Sequence, residues 1–145
     1  MNIYFSCSIT GGRNDQDKYQ AIVLALKDEG HTIPTEILAD ENILQLDEVE
    51  SAEDVYHRDI AWIDSCDAVV AEVSTPSHGV GYEIAYALGR GKPVICGYHA
   101  GRRVSKMLTG NSHPLLRICE YNHVNDYLIE IRNFLNQQGD HSQGK

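Results

Sequence analysis

The sequence predicts an α/β domain of the flavodoxin-like kind, three layers deep, with a five-stranded parallel sheet in the middle. Two observations carry this. Short apolar runs of strand length alternate with longer segments of helical periodicity, the pattern of a parallel sheet covered on both faces. The polar residues of chemical interest also gather where those apolar runs end, which is where such a fold places its ligands. A chain of 145 residues suits one domain with a substantial core.

The first strand is Ile3 to Ile9, an apolar run ending at the turn Gly11-Gly12. Asp15 to Glu29 follows as a helix, with Tyr19, Ile22, Val23 and Leu26 at helical spacing and Gly30 closing it. Thr32 to Thr35 reads as a weak second strand, and Ile37 to Glu50 as an acidic loop with a partial helix. In the helix Ser51 to Ser65, Ser51 stands as cap and Asp54 takes the place of the capping-box acid. Asp67 to Val73 is the clearest central strand, and Gly79 to Gly89 the helix behind it. Lys92 to Tyr98 is a fourth strand, with Pro93 tolerated at its start. Val104 to Leu108 forms a short helix, Leu115 to Tyr121 the fifth strand, and Val124 to Asn136 a last amphipathic helix. The domain is expected to span residues 1–136, with 137–145 a polar, disordered tail.

Composition removes several functions. The net charge of -9 repels phosphate backbones, so a polymeric nucleic acid is not the expected partner. A single phosphomonoester is different, since backbone N–H groups can hold it locally. Apolar runs fall well short of the ~18 residues that a membrane span needs. Cys7, Cys66, Cys96 and Cys119 form no CxxC pair and read as reduced structural thiols. Without a signal-like leader, the expected location is the cytoplasm. The histidines lack metal-ligand spacing, and neither a metal nor a cofactor is called for.

Three segments converge at the strand ends: 4–12, 74–83 and 98–105. In Ser77-His-Gly-Val-Gly-Tyr-Glu83, a serine, two glycines and a helix start can cradle an anion. The same spacing also suits a plain strand-to-helix turn. Glu83 sits one turn into that helix, where a carboxylate can attack an electrophilic carbon or simply stabilise the helix dipole. Asp59 can edge into the same pocket as an acid partner, or lie exposed on its helix. Tyr4 is an early strand residue. The absence of a GxSxG elbow leaves a serine hydrolase unsupported.

Taken in order, these segments resemble the 2'-deoxynucleoside 5'-phosphate N-hydrolases of the nucleoside 2-deoxyribosyltransferase superfamily. The matching stretches are Tyr4-Phe-Ser-Cys-Ser-Ile-Thr-Gly-Gly-Arg13, Arg58-Asp59 with Trp62, and Asp67 to Val73. Pro76-Ser-His-Gly-Val-Gly-Tyr-Glu83, Gly91-Lys-Pro-Val-Ile-Cys and Gly101-Arg-Arg-Val-Ser105 with Met107 and Gly110 complete the set. The resemblance implies that Glu83 is the nucleophile at C1', that Asp59 assists departure of the base, and that Tyr4 orients the nucleophile. It places Ser8, Ile9, Thr10, Gly11, Gly12 and Arg13 around sugar and phosphate, and Ser77 and Gly79 at the 5'-phosphate. Ser105 is expected to reach the phosphate of a neighbouring subunit, which implies a homodimer.

Three positions depart from the family's pattern. Cys7 and Thr10 replace a glycine and an arginine of the loop Gly-Ser-Ile-Arg-Gly-Gly, and Ile37 stands where the family often has histidine. These bear on phosphate grip and base choice. The expected reaction is hydrolysis of a deoxynucleoside monophosphate to free base and 2-deoxyribose 5-phosphate. The alternatives are a nucleoside deoxyribosyltransferase, a ribonucleoside monophosphate hydrolase and a non-catalytic nucleotide-binding module.

Overall fold

A computed structural model describes residues 1–9, 14–40, 42–43, 45 and 50–142. In chain order the elements are β1 (Ile3–Ser6), α1 (Gln16–Asp28), a 3-10 helix (Glu36–Ala39), α2 (Ala52–Ser65), β2 (Ala68–Glu72) and α3 (His78–Gly89). They continue with β3 (Val94–His99), α4 (Lys106–Thr109), β4 (Leu116–Tyr121) and α5 (Val124–Ser142). The strands pair in parallel in the order β1-β2-β3-β4, with Tyr4 opposite Val69, Val69 opposite Val94 and Val94 opposite Leu116.

The sheet has four strands among the described residues, not the five expected. Thr32 to Thr35 is reduced to one parallel bridge between Thr32 and Asn2, on the outer side of β1. The bridge is a proper start: Ile3 N–H donates to the Thr32 carbonyl at 2.8 Å, and Thr32 N–H donates to the Met1 carbonyl at 2.9 Å. Pro34 has no N–H for the next rung. Phe5 N–H, which would have continued the ladder, donates instead to Thr35 Oγ1 at 2.8 Å. The parallel order β1-β2-β3-β4 stands, with this single bridge at the outer edge of β1.

Strand alternation sorts the side chains into two cores. On one face Ile3, Phe5, Ala68, Val70 and Ile95 pack against Tyr19, Ile22 and Leu26 of α1 and Tyr127, Ile131 and Phe134 of α5. On the other, Tyr4, Val69, Ala71, Val94 and Cys96 pack against Ile63 of α2 and Val80, Ile84 and Ala87 of α3. Burying each such aliphatic or aromatic side chain stabilises the fold by about 1.5–3 kcal/mol.

Gly97 marks the closest approach on the first face. A Cβ there would stand 2.5 Å from the Tyr127 ring, whose hydroxyl donates to the Ala71 carbonyl at 2.7 Å.

Helix ends follow the sequence signals. Ser51 accepts from Asp54 N–H at 3.1 Å and donates to the Asp54 carboxylate at 2.7 Å. Gly30 has φ +84°, as a residue ending α1 in the left-handed region requires. The last helix differs from expectation: α5 continues past Asn136 to Ser142, so the expected disordered tail is helical over residues 137–142. Gln138 Nε2 donates to the Phe134 carbonyl at 3.4 Å in that extension. Polarity there marks a helix leaving the core, not the end of the helix.

Candidate active site

The carboxyl ends of β1 and β2 and the N-terminus of α3 meet on the α2/α3 face. Tyr4 and Ser6 share one side of β1 because strand side chains alternate. That side carries them toward α3, one turn into which lies Glu83.

Ser6 Oγ donates to Glu83 Oε2 at 2.5 Å. The Tyr4 hydroxyl is fully buried beside the same carboxylate, and it interacts with it electrostatically without meeting hydrogen-bond geometry. Burial, followed by Glu83 and Asp59, pushes the Tyr4 phenol far above its ordinary value, so it stays neutral.

Glu83 and Asp59 line one cavity of about 420 Å³ with Gly79, Glu50, Tyr56 and Tyr82 among its walls. Burial pushes Glu83 up to about 7, and Asp59 adds to the rise. The Ser6 hydroxyl opposes it most, followed by the Tyr4 hydroxyl and then Arg58. Glu83 thus titrates near neutrality, which suits a group that must shed its proton to attack.

Asp59 is pinned from its own helix. Arg58 Nε lies 2.9 Å from Asp59 Oδ1, and Arg58 Nη1 lies 2.5 Å from Glu50 Oε2. The guanidinium sits 4.9 Å over the Trp62 ring, a cation–π contact that adds to its hold on the two carboxylates.

Ser77 caps α3, its Oγ accepting from Val80 N–H at 3.4 Å. The bare face of Gly79 looks on both functional groups: a Cβ there would stand 3.9 Å from Glu83 Oε1 and 3.9 Å from Ser77 Oγ. Ser77, Gly79 and Glu83 are therefore one contiguous surface at a helix N-terminus, where the dipole favours an anion.

Ser105 lies elsewhere. It caps α4, accepting from Met107 N–H at 3.2 Å, and lines a second cavity of about 450 Å³ together with Ser77. It is not among the residues lining the Glu83 cavity. Ser8 is fully buried and Ile9 packs against the first core. Thr10, Gly11, Gly12 and Arg13 lie outside the described residues.

Behind the strand ends, on the first face, stands a buried acidic network that the sequence reading did not single out. Asp15 is fully buried and accepts from Thr75 Oγ1 at 2.9 Å, Lys18 Nζ at 2.7 Å and Arg102 Nη2 at 3.2 Å. Burial works to raise its carboxyl, but these donors hold it below the ordinary value. Glu72, also fully buried, accepts from the Ser74 hydroxyl and from Tyr121 at 2.9 Å. This network ties the segment after β2 to the start of α1 and to the segment after β3, directly beneath the Ser77 turn.

Ser6 was also missed, although a signal existed. A serine two residues after Tyr4 in an apolar strand occupies a core-facing position, and a polar group there needs a partner.

Comparison with known proteins follows the same lines. The model of the nucleoside 2-deoxyribosyltransferase family matches residues 3–136. A 5-hydroxymethyl-dUMP N-hydrolase of Mus musculus is 42% identical over 113 residues, covering 75% of this chain and 65% of the mouse protein. A Thermofilum pendens protein with the provisional name 2'-deoxynucleoside 5'-phosphate N-hydrolase 1 is 34% identical over 137 residues, covering 93% of this chain and 95% of its own. Among solved structures, the Clostridium botulinum CMP N-glycosidase BcmB superposes with a TM-score of 0.66 at 18% identity, covering 90% of this chain and 99% of that one. That likeness establishes the fold.

Proposed function

The chain belongs to the nucleoside 2-deoxyribosyltransferase family, and from that premise we propose that it hydrolyses the N-glycosidic bond of 2'-deoxynucleoside 5'-monophosphates. The products are free base and 2-deoxyribose 5-phosphate. One observation carries the reading. Glu83, titrating near neutrality and held by Ser6, shares a cavity with Asp59 beside the Ser77-capped start of α3. The names of the mouse and Thermofilum relatives support the same reaction.

The reaction is a double displacement. Ionised Glu83 attacks C1' as the C1'–N bond breaks through an oxocarbenium-like transition state, giving a deoxyribosyl ester of Glu83. Asp59 supplies or shares the proton that the departing base takes up, worth about 10²–10⁴-fold in rate. Water then adds to C1', its proton passes to Asp59, and Glu83 leaves as carboxylate. A sugar without a 2'-hydroxyl forms the oxocarbenium more readily. The 5'-phosphate, held at Ser77 and Gly79 with residues 8–13, positions the sugar without taking part in the bond changes. Tyr4 stays neutral and orients Glu83.

We further propose a homodimer in which Ser105 reaches the neighbour's phosphate. Met107, 82% exposed beside Ser105, and the apolar walls of the second cavity (Val80, Ile84, Val104, Leu108) support it. Sedimentation of purified protein tests the assembly. The expected location is the cytoplasm.

The reaction is tested by incubating the protein with dGMP, dAMP, dCMP, dTMP, GMP and deoxyguanosine and following free base by chromatography. Release from deoxynucleoside monophosphates, and not from GMP or deoxyguanosine, is the expected result. Release only on addition of an acceptor base would make the chain a transferase, and silence throughout would overturn the reading.

A further inference from the structure

Arg58 is the cation paired with two of the three carboxylates that line the Glu83 cavity, Asp59 and Glu50, and its geometry is unusual. Neighbouring residues on a helix do not normally face each other, yet Arg58 grips Asp59, the next residue, at 2.9 Å while reaching back to Glu50 at 2.5 Å. Its guanidinium is flattened on Trp62, one turn further along α2. Three contacts on a side chain that is only a quarter exposed fix it in place.

We propose that Arg58 is a positioning residue of the site: clamped between Glu50 and the Trp62 ring, it sets the orientation of Asp59 and supplies the positive charge to a cavity lined by three carboxylates, Glu50, Asp59 and Glu83. This rests on the proposed reaction for its catalytic meaning, but its electrostatic content belongs to the resting protein.

Groups from three elements face Glu83. From β1 come the Ser6 hydroxyl and the neutral Tyr4 phenol; from α2 come Asp59, Arg58 and Tyr56, with Glu50 just ahead of that helix; α3 adds Tyr82 and Gly79, with Ser77 at its cap. Among the charged neighbours Asp59 and Glu50 are acidic and Arg58 is the cation, which works with the Ser6 and Tyr4 hydroxyls to keep Glu83 ionised. Loss of its charge removes the cation paired with Asp59. The titration of the carboxylate pair as a whole then moves upward, and less Glu83 is ready to attack at neutral pH.

The test needs no substrate. Carboxyl-carbon NMR of glutamate-labelled protein, with the Glu83 signal assigned by its loss in Glu83→Gln, reads the titration midpoint directly. Arg58→Met is expected to raise that midpoint by about one pH unit, the scale of a nearby opposite charge. Arg58→Lys is expected to bring it back, and Arg58→Gln gives the same reading as Arg58→Met should the latter not fold. The pH profile of base release should follow, its acid limb moving upward in Arg58→Met but not in Arg58→Lys. Arg58→Lys should still lower kcat, because an ammonium cannot span Glu50 and Asp59 as a fork does. A Glu83 midpoint that is the same in wild type and Arg58→Met overturns the proposal whether or not the proposed reaction stands. Absence of base release by the wild type would overturn the reaction and leave the NMR result to decide the role of Arg58.

Discussion

Ser6 Oγ donates to Glu83 Oε2 at 2.5 Å, joining the last residue of β1 to the first turns of α3 across 77 positions of sequence. The bond does two things. It holds the carboxylate in one orientation, and it favours the ionised form against the burial that raises its titration to about 7.

Ser6→Ala is therefore expected to raise the Glu83 midpoint above about 7 and to shift the acid limb of kcat/KM to higher pH. A hydrogen bond to a charged group contributes about 1.5–3 kcal/mol, so kcat/KM at pH 7 should fall at least about ten-fold. Steady-state kinetics across pH 5–9 check both.

The same burial has a stability consequence. The folded midpoint of Glu83 lies above its ordinary value of 4.5, so the folded state binds the proton more tightly than the unfolded chain. Wild-type stability is then full below about pH 4.5 and declines as pH rises through about 7. Glu83→Gln escapes that decline. It should equal wild type near pH 4 and exceed it by about 2 kcal/mol at pH 8, less than the full shift implies because the cavity admits water. Urea unfolding at the two pH values reads the difference.

Much of this was legible in the chain. The central strand, the Ser51 cap and the spacing that brings Glu83 to a helix N-terminus depend on local rules that sequence carries. The expected second strand, Thr32 to Thr35, did not follow because Pro34 and the Thr35 hydroxyl end the pairing after a single rung, a competition that apolar content alone does not reveal. The true end of α5 was obscured because helix continues where the apolar stripe stops. Ser6, Arg58 and the Asp15–Glu72 network act through partners up to 87 positions apart, and such pairings belong to the tertiary structure. The family resemblance named Asp59 and Glu83; only the coordinates put them in one cavity.

Asp15 offers a test of the buried network. Asp15→Ala leaves Thr75, Lys18 and Arg102 without their shared acceptor and is expected to destabilise by about 2–4 kcal/mol. Its ionised form is the favoured one in the folded state, so the wild-type advantage should be present above about pH 4 and fade as pH falls below it. Thermal unfolding of both proteins at pH 3 and pH 7 checks the sign.

Ser77→Ala should act on phosphate recognition rather than chemistry. KM for deoxynucleoside monophosphates is expected to rise by about ten-fold or more, with any turnover of deoxynucleosides unaffected. Equal effects on nucleotide and nucleoside would remove the phosphate role.

Gly97→Ala probes packing alone. Its methyl group would stand 2.5 Å from the Tyr127 ring, and a ring hydrogen-bonded to Ala71 cannot retreat without losing that bond. A loss of about 1–3 kcal/mol or more is expected in urea unfolding, and the double variant Gly97→Ala, Tyr127→Leu should recover part of it.

The covalent role of Glu83 is tested most directly by the stereochemistry of trapping. With methanol added during turnover of a deoxynucleoside monophosphate, a double displacement on Glu83 yields the methyl 2-deoxyriboside 5-phosphate with the β-configuration of the substrate retained, as read by proton NMR of the product. Retention, together with loss of turnover in Glu83→Ala, is the predicted result; an inverted α-product, or near-wild-type turnover in Glu83→Ala, would contradict it.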